Sequence, residues 1–182
     1  MVILMDKRKT KLIVNKSGGT ASKGGKTYRV TIPNTWIEQL SLSESKRDIN
    51  IAFDGDRIII EPEISMEEYA LKHNGNKLIK LNFYNNDMLC SAILADYTDK
   101  QVKIENYIND KFHTAFGVNG NPSWDDYLSF LEDRCVPRKR AGLREYLNTL
   151  GIDEYNPLEI IKKTHGKMAE DNQWIEVCGY DS

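Results

Sequence analysis

The stretch YRVTIPNTWIEQLSLSESKRDINIAFDGDRIIIEPE, residues 28 to 63, decides how the first third of the chain reads. With Thr27 it begins as an alternating strand, placing Tyr28, Val30 and Ile32 on one face. Pro33 stops that strand, because proline has no N–H to donate and its ring fixes φ. Asn34 is placed to cap a short helix, TWIEQLSL, whose apolar face is Trp36, Ile37 and Leu40. DINIAFDGDRIIIEPE then reads as two strands around Asp54-Gly55, a dipeptide that readily supplies the positive φ of a tight hairpin turn; Pro62 ends the pair.

Upstream, KLIVNK predicts a further strand, and a loop from Lys16 to Thr27 carries Gly18, Gly19, Gly24 and Gly25. No Gly-Lys-Ser/Thr closes this loop before a helix, so it is not a phosphate-cradling P-loop. Charge is uneven along the chain. Residues 1 to 47 hold 10 Lys/Arg against 3 Asp/Glu, whereas residues 64 to 182 hold 14 against 19. The basic end points to an anionic partner, with a solvated basic face as the alternative.

The 182 residues, 40% apolar and 29% charged, suit one domain or two small ones. No run approaches a membrane span. The opening MVILMDKRK is too short an apolar run for a leader, and its charges follow it, so a cytoplasmic protein is expected. Cys90, Cys135 and Cys178 are scattered and odd in number. They imply neither a disulfide framework nor a metal-ligand spacing, and no cofactor is expected.

Beyond residue 63 a connector, residues 64 to 76, is expected to be helical. Ser65 and Glu68 stand as a capping box, Ile64 and Tyr69 as its staple, and Gly75 as the stop. NKLIKLNFY, MLCSAILADY and QVKIENYI predict three strands. Three helices follow. Ser123 and Asp126 cap the first, whose inner stripe is Trp124, Tyr127, Leu128 and Leu131. The second is KRAGLREYLNTL, with a stripe of Leu143, Tyr146, Leu147 and Leu150, ending at Gly151. The third, PLEIIKKTH, has Asn156 as cap, Pro157 in the first turn and Gly166 beyond its end. QWIEV is a terminal strand. The fold class expected is α+β: residues 1 to 63, the connector, and an α+β domain over 77 to 182.

Val30-Thr31-Ile32-Pro33, the helix around Trp36 to Leu40, and Asp54-Gly55-Asp56 followed by Ile58-Ile59-Ile60 occur in the order of a known pattern. Residues 10 to 63 resemble the AbrB/MazE/SpoVT family. The resemblance implies a swapped-hairpin β-barrel in which two chains interleave, hence a homodimer that often binds DNA. Carried over by position, it implies nucleic-acid contacts from Lys16, Lys23, Lys26 and Arg29. The Lys16 to Thr27 loop is longer and richer in glycine than the family's usual turn.

The later segment carries Trp124, an arginine–proline corner from Arg134 to Arg138, Gly142 to Glu145, and Asp171 to Trp174. In layout it is similar to the accessory segment of HipA-like proteins. No kinase motif follows, so no kinase activity is implied. A second basic cluster comprises Arg134, Arg138, Lys139, Arg140 and Arg144. At a helix start its charge opposes the macrodipole. Either an anionic partner or the nearby Asp125, Asp126, Glu132 and Asp133 would answer it. Cys135, among these arginines, is either an activated thiol or a structural one. His113, His165, Glu170 and Asp171 are the residues able to supply acid–base pairs for RNA cleavage. No nucleophile elbow or HExxH accompanies them, and the catalytic residues of any enzyme remain unknown.

Two functions fit. One is a dimeric nucleic-acid-binding regulator, antitoxin-like, from a bacterium or mobile element, with a protein partner for its second domain. The other is a phage or plasmid anti-CRISPR protein of the type II class that inhibits Cas9, with damage to the guide RNA as its enzymatic variant.

Overall fold

The computed structural model describes residues 6–16, 25–53 and 55–179. The chain divides into two compact units, one ending at Glu63 and the other beginning at Ile64. Both strands and helices are present, five α-helices among the described residues.

In the first unit β1 (Ile13–Lys16) pairs antiparallel with β2 (Lys26–Arg29), and β3 (Ile49–Phe53) with β4 (Ile58–Pro62). The two hairpins are separate two-stranded sheets, and no closed barrel forms among the described residues. β2 stops at Arg29, short of the predicted Ile32, because β1 offers no partner beyond Ile13. The Pro33 carbonyl accepts from the N–H groups of Trp36 (3.0 Å) and Ile37 (3.3 Å). Pro33 is therefore the N-cap of α1 (Asn34–Gln39), and Asn34, expected as the cap, is its first helical residue. Phe53 pairs with Ile58, so four residues connect β3 and β4 rather than a two-residue turn. Gly55 holds φ +98°, and Asp54 lies outside the described residues.

No described residue of this unit is buried. Ile51, Phe53, Ile58, Tyr28 and Leu12 are all at least 60% exposed. Val30, Ile32, Trp36, Ile37, Leu40, Leu42, Ile49, Ile58 and Ile60 help wall an open groove of about 560 Å³. The Trp36 indole N–H donates to Asp6 (2.9 Å), and the Arg8 guanidinium lies over the Trp36 ring.

The second unit is a three-layer structure. A four-stranded antiparallel sheet has the order β7 (Gln101–Asn106), β6 (Met88–Asp96), β5 (Leu78–Asn85), β8 (Gln173–Gly179). Helices α3 (Trp124–Asp133), α4 (Leu143–Leu150) and α5 (Pro157–Thr164) contribute to the main core with Leu81, Phe83, Ile93 and Ile175 of the sheet. Met66, Tyr69 and Ala70 of α2 (Met66–Lys72) form a second cluster with Leu78, Ala92 and Leu94. β6 is consequently buried from Cys90 to Asp96, both its faces being covered.

Caps define the helix ends. Ser65 accepts from the N–H of Glu68, and α2 ends at His73 rather than Gly75. Ser123 and Asp126 make both halves of a capping box on α3. On that helix the buried positions are Tyr127, Phe130 and Leu131, while Leu128, expected inside, is 41% exposed. The i, i+3, i+4 row through Tyr127 faces the sheet and turns Leu128 away. Helix α4 starts at Leu143, four residues later than expected at Lys139, because Gly142 before it takes the left-handed conformation, φ +73°. No helix among the described residues is long and apolar enough to cross a membrane.

Candidate nucleic-acid interface

The β1–β2 ribbon has the register Ile13–Arg29, Val14–Tyr28, Asn15–Thr27 and Lys16–Lys26. Alternation puts Val14, Lys16, Lys26 and Tyr28 on one face, and Ile13, Asn15, Thr27 and Arg29 on the other. The family-derived set is thereby divided: Lys16 and Lys26 are brought together and Arg29 is turned to the opposite face. Lys23 lies outside the described residues.

Lys16 and Lys26 are exposed and stand directly opposite each other across the ladder. Like charges at such a position destabilise a hairpin. Neither lysine, nor Arg29, has an ion-pair partner among the described residues. An anion laid across the end of the ribbon would relieve the Lys16–Lys26 repulsion and release counterions on binding.

The second basic cluster is taken apart by the fold. Arg134 is buried and makes a fork onto Asp171, at 2.6 and 3.1 Å, while also donating to the carbonyls of Gly166 and Gln173. Its guanidinium fastens the end of α3 to the segment entering β8. Asp171 was not among the acidic neighbours expected to answer this cluster, since it lies 37 residues away. A Cβ at Gly166, itself at φ +58°, would meet the Arg134 Cβ at 3.2 Å. Arg138 is exposed, paired with Glu132 at 2.5 Å and laid over the Tyr155 ring. Arg140 lies over Tyr146. Only Arg144 falls within a helix, in the first turn of α4, where its charge opposes the dipole; the others precede α4. Lys139 and Arg144 are exposed, without an ion-pair partner among the described residues.

Cys135 is structural. It is buried, and burial together with the Glu132 charge pushes its thiol up to about 12, against the pull of Arg134 and Arg138. Three of the four expected acid–base residues are engaged separately. His113 bonds Asp110 at 2.8 Å, His165 caps α5 with Nδ1 3.3 Å from the Ile175 carbonyl oxygen, and Asp171 holds Arg134. The hydrogen bond from Arg134, outweighing burial, keeps the Asp171 carboxyl below its usual range.

A grouping not marked in the sequence joins His73 at the end of α2 to Asp96 and Asp99 at the β6–β7 turn. No local spacing signals it, because a helix end and a hairpin bring it together. No family model, curated protein or solved structure matches the chain.

Proposed function

We propose that the protein is a dimeric nucleic-acid-binding regulator of the antitoxin-like kind, its first unit completed by a second copy of the chain. The observation that carries this reading is an N-terminal unit with no buried described residue, in which one ribbon ends in a lysine pair without an ion-pair partner among the described residues. Isolated two-stranded hairpins are marginal in water. Exposed rows such as Ile51 and Phe53 on β3 and Ile58 on β4 gain a core only by being covered. A partner copy interleaving its own hairpins would form the shared barrel and leave Lys16 and Lys26 at its rim.

Such an interface holds phosphates rather than reading bases, so its affinity falls with salt. Duplex DNA is the proposed ligand, and the second unit is the part that receives a protein partner.

Sedimentation and salt-dependent DNA binding test the reading together. A dimer at micromolar concentration is expected, with a log K against log salt slope that Lys16→Ala plus Lys26→Ala reduces by roughly two phosphate equivalents per chain, about four per dimer. A folded monomer at that concentration, or an unchanged slope, defeats it. Recovery of Cas9 with its guide from a lysate, in place of duplex DNA, would transfer the role to nuclease inhibition.

A further inference from the structure

Asp96 is the one buried carboxylate residue among those described, and no lysine or arginine answers it. The buried Arg134 meets Asp171; among the described residues Asp96 has only His73 as an ion-pair partner, at 3.8 Å. Its Oδ1 accepts from the backbone N–H groups of Thr98 (2.9 Å) and Asp99 (3.0 Å). Its Oδ2 accepts from the Tyr69 hydroxyl (3.0 Å) and the Asn76 amide (2.6 Å). Burial pushes the carboxyl up, but these four hydrogen bonds prevail and hold it below its usual range.

The same Asn76 nitrogen donates to Asp99 Oδ2 at 2.8 Å and lies 3.4 Å from His73 Nδ1. His73 Nδ1 is itself 3.3 Å from Asp99 Oδ2. Three candidate ligand atoms, from a helix end, a strand end and a turn, thus lie within 4.8 Å of one another and surround one amide group. The His73 ring is stacked on Tyr69, centroids 4.2 Å apart and planes 8° from parallel, which orients its Nδ1 edge.

We propose that this is a divalent-cation site of the zinc class. Its ligands are His73 Nδ1, Asp96 Oδ2, Asp99 Oδ2 and, after a half-turn of the side-chain amide, Asn76 Oδ1. An imidazole with three oxygens is a donor set that zinc accepts and that magnesium, which prefers oxygens alone, does not favour. In a tetrahedral site with bonds of about 2.1 Å the ligand atoms stand roughly 3.4 Å apart, so His73 Nδ1 and Asp96 Oδ2, 3.8 Å apart, draw together while the Asn76 amide, 2.6 and 2.8 Å from the two carboxylates, moves outward. The side chains that close are His73 and Asp99, 34% and 49% exposed and able to move; Asp96 is fixed by its two backbone donors. The cation takes the place of the Asn76 side-chain N–H as the partner of Asp96 Oδ2 and ties the end of α2 to the β6–β7 turn. This proposal is independent of the nucleic-acid reading.

The test uses the full chain in a Cys178→Ser background, so that the partly exposed thiol does not compete. After chelator treatment the protein is titrated with Zn²⁺ and, in parallel, Mg²⁺, by calorimetry and thermal unfolding. One equivalent of Zn²⁺ is expected to bind, raising the second unit's melting temperature by several degrees at excess metal. Mg²⁺ should bind at least 10-fold more weakly. His73→Ala and Asp99→Asn, both partly exposed, should each weaken Zn²⁺ binding at least 10-fold and abolish the thermal shift while leaving the metal-free melting temperature close to that of the parent. Absence of stoichiometric Zn²⁺ binding, or variants that bind as the parent does, overturns the site and leaves a purely hydrogen-bonded turn.

Discussion

β3 and β6 are both apolar strands in antiparallel ladders, and they meet opposite fates. Phe53 on β3 is 71% exposed, while Leu94 on β6 is 1% exposed. The difference is not in the strands. β6 has α2 on one face and the α3–α5 layer on the other, whereas β3 has only β4 beside it. A ladder satisfies backbone polar groups, but apolar area leaves water only when a second layer covers it. The second unit brings its own layers. The first has no covering layer among the described residues.

The largest effect expected from breaking this contrast is at Arg134. Arg134→Met removes the guanidinium that donates to Asp171 and to two backbone carbonyls, leaving Asp171 only the Gln173 N–H, and urea unfolding of the second unit should show a loss of about 3–5 kcal/mol. Next, Ile161→Ala beneath the sheet should cost about 2–5 kcal/mol in the same measurement, Ile161 being fully buried. The matching truncation in the first unit, Ile51→Ala at 67% exposure, should leave the second unit's transition unmoved and instead weaken self-association in sedimentation. A concentration-independent melting of the first unit would remove the need for a partner copy.

Acid should act through the latch. The folded-state pKa of Asp171 lies below its unfolded value, Arg134 being the leading cause. Its contribution is present above an unfolded pKa of about 3.9 and is lost as pH falls through the lower folded value. The urea midpoint of the second unit should drop below about pH 4, and Arg134→Met should flatten that drop. The smallest effect is at a cap: Ser123→Ala should cost about 1 kcal/mol, read as a midpoint shift with unchanged m-value.

Much of the local structure was legible. β5, β6, β7 and β8, the Ser123–Asp126 box and the Asn156–Pro157 start of α5 follow from alternation and capping chemistry, which act over a few residues. The misreadings have local causes as well. Gly142 delays α4, and a β1 that begins only at Ile13 leaves Val30 to Ile32 outside β2. The candidate sites were less legible. Lys16 opposite Lys26 depends on hairpin register, which alternation alone leaves free by two residues. The Arg134–Asp171 fork and the His73–Asp96–Asp99 grouping join residues 37 and up to 26 positions apart.

By itself, then, the amino-acid order determined which segments form most of the strands and helices, the mixed α+β class, and the basic character of the N-terminal end. Those properties arise from dihedral preference, periodicity and composition within a short window. Only the tertiary structure decided which apolar strands are covered, that Arg134 is an internal latch rather than part of a basic surface, and that His73 meets two aspartates. Such outcomes depend on which distant segments share one side of a sheet, and no short window of sequence contains both partners.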